Sequence, residues 1–341
     1  MPSPGGSLAT AYDPRRNNFD FLRFALATLV LWAHAWPVMG RRGEWVIAVS
    51  HGQVTAGSLA VDGFFVLSGF LVMQSWLARP IVGVYVAKRL LRIGPALGVV
   101  LALTSLVLAP IVRGDAWAYL RSPLPWAHFA SVLAPSLMVI PGSFPGNPQP
   151  HVLNASLWSL RYEILCYALV VPVGLLGMRR WRVVVPALLG GSTLCAIALA
   201  GRGSDVAVAA HQIACFSAGM LFFLARDSVP CDGRLALAAA AVFVLTLVTR
   251  GIRVVFPLVG GYLLLVAAVS PRWPLQRFGR HGDVSYGMYL YGFPVEQTVR
   301  WFAGPTLSFG AFLALSFVLT LAAAALSWHF VEAPALARKP R

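Results

Sequence analysis

Apolar runs long enough to cross a bilayer recur along this chain, and nothing else constrains its fold as strongly. They lie at 19–39, 58–77, 93–112, 157–177, 183–200, 207–225, 234–249, 254–270, 284–302 and 307–329. A helix needs about 20 apolar residues to cover the hydrocarbon thickness of a membrane. With 58% hydrophobic and 11% charged residues and a mean hydropathy of +0.73, the chain reads as an integral membrane protein rather than a soluble domain. The expected fold is all-α: a polytopic helical bundle of about ten transmembrane helices with both termini cytoplasmic. Residues 1–18 form a cytoplasmic tail, 19–332 the membrane domain and 333–341 a second cytoplasmic tail. Residues 113–156 are expected as an extracytoplasmic excursion. Within it, the short apolar stretch 128–140 is a re-entrant or interfacial helix, because the Pro/Gly run PGSFPGNPQPH that follows cannot continue a helix.

Charge supports ten spans. The net charge is +15, but the basic residues punctuate the apolar runs instead of forming one surface, so nucleic acid is not the expected partner. Ten spans place 18 of the 27 Lys and Arg inside, as the positive-inside rule requires. An eleventh span at 128–140 would move Arg179, Arg180, Arg182 and the C-terminal cluster outward. Four cysteines give no disulfide framework and suit packing. There is no metal-ligand spacing and no phosphate-binding glycine loop. No internal repeat is evident, so the inverted-repeat signature of many transporters is missing.

The first run, FDFLRFALATLVLWAHAWPVM, carries two residues foreign to lipid, Arg23 and His34. Eleven residues separate them, about 16 Å along a helix and just over three turns, so both leave from nearly one face. Ionisable side chains at membrane depth face a bundle interior or a water-filled cavity. A cation at one surface with an imidazole three turns deeper suits a long ligand with an anionic head. The triplet Ala33-His34-Ala35 imitates a signal-peptidase site. The run is nonetheless long for a leader, contains Arg23, and is followed by further spans.

Other ionisable residues complete the candidate set. Asp62 lies near the outer end of the second span, where His34 is its natural partner and Arg161 the second candidate. A carboxylate there would fix the imidazole tautomer and raise its basicity. The bland alternative makes Asp62 a helix-interior hydrogen-bonding residue and Ser68-Gly69 a close-packing spot. The connection 78–92 holds Lys88, Arg89 and Arg92, with Arg89 and Arg92 on one helix face. Such a cluster can meet anionic lipid or, converging with Arg23, a polyphosphate. Glu163 lies at a depth comparable to His34 and suits a structural ion pair as well as catalysis. His211 and His329 read as packing or interfacial residues. Glu296 and Arg300, four apart, read as an intrahelical pair.

At these motifs the chain resembles the membrane acyltransferase-3 family, which O-acylates cell-surface carbohydrates. The resemblance rests on Arg23-(ten residues)-His34, on VDGFFVLSGF at 61–70, on Arg89-Leu90-Leu91-Arg92, and on LWSLRYE at 157–163. Weaker matches are SYGMYL at 285–290 and VEAP at 331–334. They occur in family order and cover essentially the whole chain. The resemblance implies a ten-helix core and a cytoplasmic acyl-CoA donor, acetyl-CoA first among donors. It also implies a carbohydrate acceptor on the outer side and residence in the cytoplasmic (inner) membrane. It assigns His34 as the catalytic histidine and Arg23, Arg89 and Arg92 as donor-binding residues. Asp62 or Glu163 would assist His34. A base mechanism and an acyl-histidine intermediate both remain open. Gly292 stands where family members often carry histidine. The competing class is a transporter or flippase for a polysaccharide precursor or acyl group, which would also place charges at membrane depth.

Overall fold

Helices occupy every position at which a span is expected. In the computed structural model, residues 6–130, 132, 139–177, 180–271 and 275–340 are described. The expectations that fall on residues 1–5, 131, 133–138, 178, 179, 272 and 341 lie outside the described residues; they include most of the 128–140 stretch and the placement of Arg179, Arg272 and Arg341. Among the described residues there is no β-strand, only two isolated bridges. The long helices are α1 (Phe19–Val38), α2 (Ala56–Ala78), α3 (Val82–Arg113), α4 (Ala155–Leu175) and α5 (Trp181–Ala198). They continue with α6 (Asp205–Leu224), α7 (Gly233–Thr249), α8 (Ile252–Val269), α9 (Ser285–Ala303) and α10 (Phe309–Ala337). Eight are long and apolar enough to cross a membrane. The other two are α7, which has 17 residues, and α9, whose many buried polar side chains lower its hydropathy.

Two boundaries differ from the sequence expectation. The connection before the third span is short, and α3 begins at Val82, so Lys88, Arg89 and Arg92 sit on the helix. Pro95 lies inside α3 rather than opening it, a position transmembrane helices tolerate because neighbouring groups re-satisfy the freed carbonyl. The C-terminal stretch expected as a tail continues α10 to Ala337 through a π-helical segment at Trp328–Glu332.

The chain forms two compact units: Met1–Leu26, Trp45–Tyr85 and Tyr162–His281 in the first, and Ala27–Glu44, Val86–Arg161 and Gly282–Arg341 in the second. In the first, α2 and α6 meet backbone to backbone. A methyl group on Gly69 would collide with the Phe216 carbonyl, and one on Gly219 with that of Val66. Asp62 meets Gln212 two turns earlier on both helices, so the pair runs parallel. The close-packing reading of Ser68-Gly69 is thus what the fold displays. Gly69→Ala must push the helices apart, an overpacking cost of about 1–3 kcal/mol. Thermal denaturation in detergent should show the loss. Gly98→Ala is the control, because a methyl group there meets no atom within 4 Å; equal melting of the two variants would contradict the close crossing.

In the second unit a π-helical turn in α3, Leu103–Leu108, widens the helix and buries the adjacent Thr104 and Ser105 together. Thr104 Oγ1 lies 2.9 Å from His128 Nε2, and Ser105 donates to the Pro125 carbonyl. Both hold the short helix Leu124–Ala130 against α3. The Pro/Gly run is packed as well: Phe144, Ile140 and Leu153 join Ala109, Val112 and Tyr119 in one apolar cluster. α9 is the hub of this unit. Tyr286 donates to the Ile93 carbonyl, Tyr289 to that of Ser156, and Gln297 to those of Gln149 and Val152. α10 packs antiparallel on α9, with Gly287 against Ala324 and Gly282 against Trp328.

Candidate active site

His34 lies four residues before the end of α1, in the second unit. Its ring meets the Phe293 ring of α9 edge to face at 5.2 Å. Its Nδ1 is buried and has no hydrogen-bond partner among the described residues. A buried ring nitrogen left without a hydrogen-bond partner costs free energy unless a bound group completes it. Arg23 sits eleven residues earlier on the same uninterrupted helix, and that α1 stretch belongs to the first unit.

Asp62 does not show the expected His34 partnership. Its Oδ2 lies 2.9 Å from His211 Nε2, and its Oδ1 accepts from Gln212 Nε2 at 3.0 Å. Both partners are on α6, in the same unit. His211, read from sequence as a packing residue, is therefore the imidazole that faces an acid. Cys215 lies one turn further, and its Sγ comes within 3.9 Å of the same nitrogen. One donor atom each from Asp62, His211 and Cys215 falls within a 4.8 Å group. No spacing in the sequence suggested a metal-ligand set, and the fold supplies these three donors from two helices. The carboxylate is satisfied by His211 and Gln212 without an ion.

Glu163, which suits an ion pair or catalysis by its depth, makes a local contact. Its Oε1 accepts from Tyr167, one turn along its own helix, at 2.6 Å. Arg161 stands at the start of α4 in the second unit, while Glu163 belongs to the first.

Arg89 and Arg92 are one turn apart on α3, as the sequence reading requires, and Arg92 is already engaged. It lies 2.5 Å from Asp283 and 3.8 Å from Glu332, with its guanidinium over the Tyr286 ring. Asp283 also accepts from the Ser285 hydroxyl and backbone N–H, capping the start of α9. The stretches 285–290 and 331–334 therefore meet at Arg92 through Tyr286 and Glu332.

The expected Glu296–Arg300 pair is absent. Glu296 is 0% exposed, and neither carboxylate oxygen has a hydrogen-bond partner among the described residues. Arg300 leaves Nε and Nη1 buried in the same condition. Four-residue spacing brings two side chains to one helix face, and does not oblige their ends to meet.

Comparison with known proteins identifies the family of the chain. Residues 16–329 match the acyltransferase-3 family, described as an acyltransferase domain. An O-acetyl transferase of Shigella phage Sf6 is 26% identical over 337 residues, covering 95% of this chain and 97% of the relative. Nodulation protein 10 of Rhizobium leguminosarum bv. viciae is 28% identical over 371 residues, covering 94% and 93%. No solved structure matches the chain. With the family match running from before α1 into α10, this chain is a multi-pass membrane acyltransferase and belongs to the acyltransferase-3 family.

Proposed function

We propose that the protein moves an acyl group, acetyl foremost, from cytoplasmic acyl-CoA to a hydroxyl of a cell-surface or lipid-linked carbohydrate. It would act in the cytoplasmic (inner) membrane, with ten spans and both termini inside. The observation that carries this reading is the buried, uncompleted Nδ1 of His34 on one continuous helix with Arg23. The printed name of the phage relative, O-acetyl transferase, supports acetyl and oxygen as the group and the receiving atom. The parallel course of α2 and α6 supports the topology. Three helices lie between them, so a parallel pair is obtained when 113–156 returns to the side it left.

In the proposed reaction Arg23 and Arg89 hold the CoA phosphates. The pantetheine arm runs along α1, and the thioester reaches His34 about 16 Å away. His34 takes the proton of the acceptor hydroxyl as its oxygen attacks the thioester carbonyl carbon. The carbon–sulfur bond then breaks, and the CoA thiolate recovers the proton. Arg92 would fix the position of Arg89 on α3 through Asp283 and Glu332. Asp62 and Glu163 would act from their own hydrogen bonds, Asp62 by locking α2 to α6 through His211, and Glu163 by locking Tyr167.

The direct test reconstitutes purified protein in nanodiscs with acetyl-CoA labelled in the acetyl group and a lipid-linked oligosaccharide. Alkali-labile label on the sugar, with one CoA released per ester formed, is the expected result. Movement of intact oligosaccharide across proteoliposomes without ester formation would make the protein a flippase.

A further inference from the structure

The α9 helix carries several buried polar side chains, and most have partners in neighbouring segments. Tyr286, Tyr289 and Gln297 each reach a backbone carbonyl, and Asn147 donates to the Gln297 side chain. Glu296, next to Gln297 and 0% exposed, reaches nothing among the described residues. A carboxyl group taken out of water without a partner is among the most costly features a core can hold. Such groups persist where a ligand supplies the missing donors.

The surroundings of Glu296 say which ligand. α1 and α9 run parallel in the second unit: Leu31 lies against Gly292 and His34 against Phe293. At about 100° per residue, Glu296 leaves α9 between the directions of Gly292 and Phe293, one turn further along. It therefore leaves α9 on the face turned to α1, about one turn beyond the level at which Phe293 meets His34. A methyl group on Gly292 would make ordinary contact with Leu31, nearest at 3.6 Å, so the two helices pack closely just before Glu296. Arg300, one turn beyond on the same face, has two buried nitrogens without acceptors.

We propose that Glu296 is a binding residue for the acceptor, resting on the acyl-transfer reading above. Its carboxylate accepts a hydrogen bond from one hydroxyl of a polyhydroxylated substrate while the neighbouring hydroxyl is presented to His34. Arg300 donates to an oxygen further along the same molecule. The ligand class is a vicinal diol flanked by acceptor oxygens, as pyranosides offer. A helix face carrying a carboxyl group and a donor-only guanidinium, neither satisfied by the other, matches that alternation.

Glu296→Gln keeps the shape and removes the charge, and Glu296→Leu removes the polar group. The experiment measures acetyl transfer from acetyl-CoA to a panel of methyl glycosides, with thermal unfolding in the same detergent. On the glycoside that wild type acylates best, Glu296→Gln should raise the acceptor KM by about tenfold or more while the acetyl-CoA KM holds. Glu296→Leu should melt at higher temperature than wild type, since an uncompleted buried polar group has been removed. A structural carboxyl group would do the reverse, lowering the melting temperature and leaving the acceptor KM unchanged. Either of those outcomes in a wild type that transfers would overturn the role of Glu296 alone. Wild type forming no ester on the panel or on the lipid-linked oligosaccharide would instead remove the carbohydrate-acceptor reading on which it rests.

Discussion

His34→Ala should lower acyl transfer by about 10²–10⁴-fold, the usual contribution of a positioned general base, and leave acyl-CoA binding nearly intact. The expectation follows from geometry. Donor phosphates held at Arg23 would lie about 16 Å from the imidazole along α1, so removing the ring touches the chemistry and not the anchor. His34→Gln should fare little better, because an amide has no basic lone pair at neutral pH. For the remaining wild-type activity the sign of the pH dependence is fixed. The base works only when neutral, so the rate falls as pH drops through the pKa of the imidazole. A histidine that serves packing against Phe293 predicts another pattern, with poor yield of His34→Ala and near-normal turnover by His34→Gln. Assay of folded His34→Gln decides between them. Near-normal transfer would leave the proposed site without its centre.

Local pattern carried most of the fold and only part of the site. Each long helix stands where an apolar run announced it, because span length is a property of consecutive residues. The 113–156 segment was recognisable from its Pro/Gly content, while its packing around Phe144 was not. The Asp62–His211 pair is 149 residues apart in sequence, and no local spacing encodes it. A signal did exist: each residue lies six positions after the start of its helix. Two helices entering from one face would bring the pair to equal depth. The Glu296–Arg300 spacing misled for a related reason. It specifies a shared face and says nothing about what the neighbouring helix offers. Arg92 shows the same limit, since the motif around it was legible but its two carboxylate partners come from α10 and from the approach to α9.

That arrangement separates the two arginines of α3. Removing Arg92 takes a cation away from Asp283 and the buried Glu332, and loss of one partner from such a site costs about 3–5 kcal/mol. Arg92→Ala should therefore unfold at markedly lower temperature. Adding Asp283→Asn and Glu332→Gln to Arg92→Ala should recover part of the loss, because the two carboxylate charges that faced Arg92 are removed with it. Arg89→Ala should do something different, weakening acyl-CoA binding by about 1.5–3 kcal/mol, the range for a hydrogen bond to a charged group. Arg89→Lys should rescue only partly, since a point charge does not reproduce the guanidinium fork. Calorimetric titration with acetyl-CoA and thermal unfolding on the same preparations read both effects. If Arg92→Ala melts like wild type yet no longer binds acyl-CoA, its ion pairs are incidental and Arg92 is itself a phosphate ligand. If Arg89→Ala and Arg89→Lys both bind normally, the basic face of α3 belongs to the lipid surface and the donor phosphates must be held elsewhere.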